Sequence, residues 1–185
     1  IAAGKAKPML IVMPDGHAAD PSSMDPVLRG QNTRLFEQDL LESVIPLVES
    51  HYRTAKGPEA RALAGLSMGG NQTLNIGLAH PAMFAYLGVF SSAAGFNPQM
   101  QEEFVKKFSP TLSASEKLNA QLRLFWIGCG SADFLYKRNI EMVEMLKQHN
   151  IRHVYKETPG AGHVWPLWRQ HLAEIAQLLF RKAGT

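Results

Sequence analysis

The stretch Ala64-Gly65-Leu66-Ser67-Met68-Gly69-Gly70 constrains the fold of this chain more than any other. An apolar segment from Arg61 to Leu66 leads into it, and a helical pattern from Met68 to His80 leads out, stopped by His80-Pro81. Gly-x-Ser-x-Gly between a strand and a helix predicts a very tight turn, crowded enough that residues 65 and 69 must lack side chains. The turn pushes the Ser67 hydroxyl out above the sheet edge. The helix then starts beneath the serine, so its first N–H groups and positive dipole end face any negative charge formed there. The competing reading, a Gly-rich turn with an incidental serine, is weighed by what lies downstream.

The rest of the chain alternates in the same way. Pro8–Met13 is a continuous apolar run, which predicts a central strand covered on both faces. Asp15 to Asn32 reads as a long loop at that strand's carboxyl end, with His17 and Asp25 as solvated loop residues. Thr33 to Tyr52 carries Phe36, Leu40, Val44, Leu47 and Val48 at helical spacing, with Asn32 or Thr33 available as N-cap and Pro46 predicting a kink. Strands are predicted at 87–90, 122–127 and 154–157, and helices at 137–149 and 166–182. The last helix has Leu167, His171, Leu172, Ile175, Leu178 and Leu179 on its apolar stripe. Residues 96–121, with Pro98 and Pro110, read as a partial cap. The alternation predicts an α/β fold with a parallel sheet and right-handed crossovers, and 185 residues with 45% hydrophobic content suit one domain spanning 1–185.

In such a sheet the loops at the strands' carboxyl ends share one rim. Ser67, Asp133 and His163 each follow a different strand and should therefore meet. A serine hydroxyl needs a base to take its proton, and an imidazole serves if a carboxylate holds its other nitrogen. The order Ser67, Asp133, His163 is that of α/β-hydrolase triads, with Gly160 and Gly162 letting the last loop reach the serine. Asp20, Asp25 and Asp39 precede the serine and are poor substitutes for Asp133. The other helix-end and strand-start histidines, such as His51, His80, His149, His153 and His171, read as capping or packing residues. No metal or other cofactor is expected, because the lone Cys129 cannot build a thiolate site. A net charge of +3 without a run of like charge does not indicate nucleic-acid binding, and no apolar run approaches the roughly 20 residues of a membrane span.

Ile-Val-Met-Pro-Asp-Gly at 11–16, Phe36, Asp39-Leu40 and Ile45-Pro46, Gly65-Leu66-Ser67-Met68-Gly69-Gly70, and Gly162-His163-x-Trp165-x-x-Trp168-Arg169 together resemble the esterase D-like α/β-hydrolases. Within them the chain looks most like carbohydrate esterase family 1, the feruloyl and acetylxylan esterases. The resemblance implies Ser67 as nucleophile, Asp133 as acid, His163 as base and the Met68 backbone N–H as one oxyanion donor. It implies a secreted or periplasmic protein acting on an ester of plant cell-wall xylan, feruloyl before acetyl. Siderophore esters, thioesters of the S-formylglutathione type, and a non-catalytic carbohydrate-binding relative are the alternatives. Trp165 and Trp168 are expected to flank an aromatic acyl group or a sugar ring, although Trp168 could equally pack against the sheet. Matched to the family's eight strands, Ser67 follows the fifth, Pro8–Met13 is the fourth, and the first three are absent. The third carries the second oxyanion donor in its loop, so an N-terminal companion segment is expected to complete the domain.

Overall fold

Four parallel strands form one sheet in sequence order: β1 (Ala62–Leu66), β2 (Tyr86–Phe90), β3 (Leu124–Gly130) and β4 (Val154–Thr158). The structure is a computed structural model that describes residues 1–20, 22 and 31–181; Asp25 lies outside the described residues. The chain divides into two compact units, one of Ile1–Pro8 with Gly57–Thr185, the other of Met9–Lys56.

The larger unit is a set of β-helix-β repeats. α3 (Met68–Ala79) joins β1 to β2, α4 (Pro98–Ser113) and α5 (Ser115–Gln121) join β2 to β3, α6 (Tyr136–Gln148) joins β3 to β4, and α7 (Trp165–Ala176) follows β4; in the smaller unit lie α1 (Asn32–Asp39) and α2 (Ile45–His51). Every residue of β2 is buried, as a central parallel strand between helical layers requires, whereas β1 and β4 border the sheet and are partly exposed. α7 buries Leu167, Trp168, His171 and Ile175. Leu172 and Leu178, expected on the same stripe, are 47% and 44% exposed. Leu172 sits one residue, about 100° of helical rotation, away from the buried His171, whereas Leu178 lies beyond the helix, which gives way to turns after Ala176 instead of running to Lys182 as expected.

The stretch read as a partial cap forms the β2-to-β3 crossover. Asn97 caps α4, its side-chain oxygen accepting from the Met100 N–H at 2.9 Å. Phe104, Phe108 and Leu112 recur every four residues as the buried stripe. Lys107 Nζ donates to Asn75 Oδ1 at 2.9 Å and Thr111 Oγ1 to the Leu78 carbonyl at 3.2 Å, tying α4 to α3.

The smaller unit departs most from expectation. Pro8–Met13 is not a strand: Leu10, Ile11, Val12 and Met13 are 54%, 61%, 47% and 87% exposed. A strand exists only where its N–H and C=O groups meet a neighbour's, and among the described residues the ladder joins β1 to β4 alone. The predicted helix begins as α1, passes through a π-helical turn at Leu40–Val44, and resumes as α2. Pro46 has no N–H for the helix ladder and its ring would meet the carbonyl of residue 42; the wide turn just before it accommodates both and interrupts the α-helix where a kink or a break is expected. The wide turn also shifts the helical phase, so Phe36 and Leu40 are buried while Leu47, expected inward, is 60% exposed. Neither expected N-cap residue caps. Gln31 holds that position, and Asn32 instead pins the preceding loop, donating to the Gly16 carbonyl and accepting from the Ala19 N–H, each at 2.9 Å.

Candidate active site

Ser67 has φ +51° and ψ −115°, a backbone conformation costly for any residue with a side chain. The turn is held on both sides, by the Ser67 N–H donating to the Phe90 carbonyl at 2.9 Å and the Ser67 carbonyl accepting from Asn71 at 3.1 Å. A Cβ on Gly65 would collide with the backbone carbonyl of Gly69, which explains the first glycine. The second differs from expectation: a Cβ on Gly69 would meet nothing within 4 Å, whereas one on Gly70 would lie 2.5 Å from Ser92 Cβ. Gly70 is therefore the glycine that lets α3 pack against the loop after β2.

The three residues singled out from the sequence converge on the rim. His163 Nε2 lies 3.0 Å from Ser67 Oγ, and His163 Nδ1 lies 2.9 Å from Asp133 Oδ2 and 3.0 Å from Oδ1. The Asp133 side chain is fully buried and accepts a further bond, at 2.8 Å, from the Leu135 N–H. That bond fixes the carboxylate plane, so the imidazole is oriented by a group that cannot itself rotate freely. The His163 side chain is 19% exposed, enough to face a bound ester.

Mutual placement of the acid and base loops rests on backbone contacts between them. The Ser131 N–H donates to the Thr158 carbonyl and the Ala132 N–H to the Ala161 carbonyl, each at 3.0 Å, and the Gly160 N–H donates to Ser131 Oγ at 2.8 Å. A Cβ on Gly130 would strike the Ala161 carbonyl, so this close approach needs glycine there.

The Esterase family model matches residues 1–179. The chain belongs to the Esterase family. It is 29% identical to an endo-1,4-beta-xylanase/feruloyl esterase of Xylanibacter ruminicola over 181 residues, covering 98% of this chain and 22% of that protein. Against an acetyl esterase of Caldicellulosiruptor saccharolyticus it is 25% identical over 163 residues, 75% of this chain and 61% of that one. A CE1 ferulic acid esterase from Anaeromyces mucronatus, solved with ferulic acid, superposes with a TM-score of 0.77 at 27% identity, over 97% of this chain and 68% of that chain. The chain thus spans less than two thirds of the length of these two curated relatives. Its fold is that of the α/β-hydrolases of this esterase group, as the sequence motifs implied.

Met68 is the first residue of α3, next to Ser67. Trp165 is 61% exposed at the start of α7 and packs edge-on against Trp168, ring centroids 5.3 Å apart. Trp168 is 7% exposed; its indole N–H donates to Ser91 Oγ at 2.9 Å, and its ring stands edge-on to His163 at 4.8 Å. It packs behind the base. Ser91, fully buried with φ +46°, was not singled out from the sequence, nor were Ser131, Asn139 and Phe134. Asn139, also fully buried, donates to the Ser92 carbonyl at 2.7 Å and steadies the loop that faces Gly70. Serines and asparagines in Gly- and Ser-rich loops carry no sequence signal separating such bracing from ordinary turn chemistry. Cys129 is fully buried in β3 and its thiol is pushed up to about 12, chiefly by burial and then by the Asp133 charge, which suits a packing residue. His149 and His153 stand four apart in sequence, but α6 ends at Gln148, so they share no helix face.

Proposed function

We propose that this chain carries the catalytic centre of a serine esterase that removes ferulate from plant cell-wall xylan through an acyl-enzyme. The observation that carries the reading is the unbroken relay from Ser67 Oγ through the imidazole of His163 to the buried Asp133. In the first half-reaction His163 Nε2 takes the Ser67 proton as Oγ attacks the ester carbonyl. Asp133 holds the Nδ1–H tautomer and balances the imidazolium. The Met68 backbone N–H, at the positive end of α3, is assigned to the oxyanion. His163 then protonates the departing alcohol. In the second half-reaction water takes the place of the alcohol and the same groups release ferulate.

The similarity to proteins named for feruloyl ester cleavage supports the acyl group; the similarity to an acetyl esterase keeps acetylated xylan as the second reading. The domain is further proposed to be completed by an N-terminal companion segment. Among the described residues the outer edge of β1 has no partner strand, and the apolar run at Leu10–Met13 is exposed; an uncovered edge and an uncovered apolar run are both liabilities that a pairing segment removes. The same segment would supply the second oxyanion donor, whose loss typically costs about 100- to 1000-fold in rate.

The test is hydrolysis of methyl ferulate and of an acetylated xylo-oligosaccharide by the protein and by its Ser67→Ala variant. Ferulate release that vanishes in the variant is the expected result. Turnover of the acetyl ester alone would move the assignment to the second reading, and equal activity in the variant would overturn the serine mechanism.

A further inference from the structure

Large apolar side chains stand exposed in the stretches after all four strands: Met68 after β1 at 36%, Phe96 after β2 at 59%, Phe134 after β3 at 73%, and Val164 and Trp165 after β4 at 44% and 61%. Phe134 is the one held directly against the base. Its ring centroid lies 4.6 Å from that of His163, with the planes tilted by 48°. Its neighbours fix it there. Asp133 and Leu135 are both buried, and the turn is closed by the Asp133 N–H donating to the Gly130 carbonyl at 3.1 Å and by Tyr136 donating to the Asp133 carbonyl at 2.9 Å. A phenylalanine between two buried residues in so constrained a turn cannot withdraw into the core. Leaving that much apolar surface in water has a cost that a bound ligand would relieve.

The reaction geometry says which part of the ligand. When the tetrahedral intermediate collapses, the bond between the acyl carbon and the alkoxy oxygen breaks, and that oxygen takes the proton on His163 Nε2 that came from Ser67. The alkoxy oxygen must then lie within hydrogen-bond reach of the imidazole, so the alcohol starts on the imidazole's side of the intermediate and the acyl chain leaves away from it. The exposed ring touching that imidazole is Phe134; Trp168, which also touches it, is buried. Trp165 lies one ring further on.

We infer that Phe134 forms the binding wall for the alcohol half of the ester, and that this alcohol is a sugar ring whose C–H face stacks on its exposed ring. The inference rests on the esterase reading above and extends it from the acyl group to the leaving group. It makes Phe134 a specificity residue that a small alcohol such as methanol does not use.

The experiment compares kcat and KM for methyl ferulate and for ferulate esterified to a single arabinose, in the wild-type chain and in Phe134→Ala and Phe134→Trp. Phe134→Ala should raise KM for the sugar ester by about 3- to 10-fold more than KM for methyl ferulate, the range of one lost aromatic contact. Phe134→Trp should keep the wild-type preference. An equal loss on both esters would show that the ring only positions His163, and an unchanged preference would show that the sugar lies elsewhere; either result overturns the inference. If the wild-type chain turns over neither ester, the esterase reading itself has failed and this inference falls with it, by a readout distinct from the other two.

Discussion

Replacing Asp133 by asparagine isolates the part of the relay that geometry alone cannot supply. The two side chains have the same shape, so burial is unchanged. The Leu135 N–H, 2.8 Å from Oδ1, demands an acceptor and fixes the amide orientation, with oxygen at Oδ1 and NH2 at the Oδ2 position. That NH2 then faces His163 Nδ1 across 2.9 Å. An Nδ1–H would meet this NH2 at 2.9 Å while only the amide oxygen at 3.0 Å, already accepting from Leu135, could receive it, which disfavours that tautomer and moves the proton to Nε2. There it points at Ser67 Oγ, 3.0 Å away, and can no longer take the serine's proton. The carboxylate's charge, which balances the imidazolium, is lost as well. A wrong-tautomer substitution of this kind lowers kcat by about 10⁴-fold, or about 5.5 kcal/mol of barrier. Thermal unfolding should barely move. Asp133→Ala, by contrast, leaves the buried Leu135 N–H without its acceptor and should cost about 1–3 kcal/mol of stability as well as activity. The measurements are kcat on methyl ferulate and Tm for both variants. An asparagine variant that kept a tenth of wild-type kcat with its fold intact would refute the tautomer argument and remove Asp133 from the proposed triad.

Gly65→Ala drives a methyl group into the Gly69 carbonyl, so it should destabilise the chain by about 1–3 kcal/mol and abolish turnover, whereas Gly69→Ala, with open space around it, should be far milder in a melting experiment. Trp168→Phe removes the donor to the buried Ser91 hydroxyl and should lower stability by about 1 kcal/mol without altering KM; a raised KM at unchanged Tm would mean that Trp168 touches substrate. Burial holds the imidazole of the fully buried His171 below its ordinary value, Lys156 adding to the shift and Glu174 opposing it. The unfolded chain therefore takes up that proton first, and stability present above about pH 6.5 is lost as pH falls towards the lower folded value. Tm measured from pH 7.5 down to 5 should drop more in the wild-type chain than in His171→Gln, and parallel curves would contradict the assignment.

The elements that were legible in the sequence are those whose signal is local. The Gly-x-Ser-x-Gly turn placed β1, Ser67 and α3 because a strand-to-helix turn that tight leaves few alternatives, and the continuous apolar runs placed β2 and β3 because central parallel strands are buried on both faces. Pro8–Met13 has the same local signature and is no strand here, because pairing is a property of two segments and the run carries no information about its partner. Leu47 failed for a related reason: its helical phase depends on a π-helical turn that a single proline hints at but does not specify. Asn32 read as a helix cap by type, yet a loop folded back on it took both its donor and its acceptor.

The geometry of the proposed triad is set almost wholly within β1 to β4 and the loops after them, and this explains how the relay can be in place although Pro8–Met13 forms no strand. Ser67 is aligned by the carbonyl of Phe90 on the neighbouring strand, and the Asp133 and His163 loops are bonded to each other through Ser131, Ala132, Thr158 and Ala161. The base is braced by Trp168, itself tied to Ser91 at the end of β2. Each of these contacts joins adjacent strands or the helix that follows them, so none requires anything beyond the outer edge of β1. The proposed nucleophile, base and acid are therefore preorganised by this layer. Stabilisation of the oxyanion is the one function for which the described strands provide a single assigned donor, Met68. A segment pairing with the outer edge of β1 would end its strand beside Ser67, because parallel neighbours share one rim. By this argument, covering that edge should raise kcat on an ester with little change in KM, since proton transfer is already arranged within these strands and a second oxyanion donor is not.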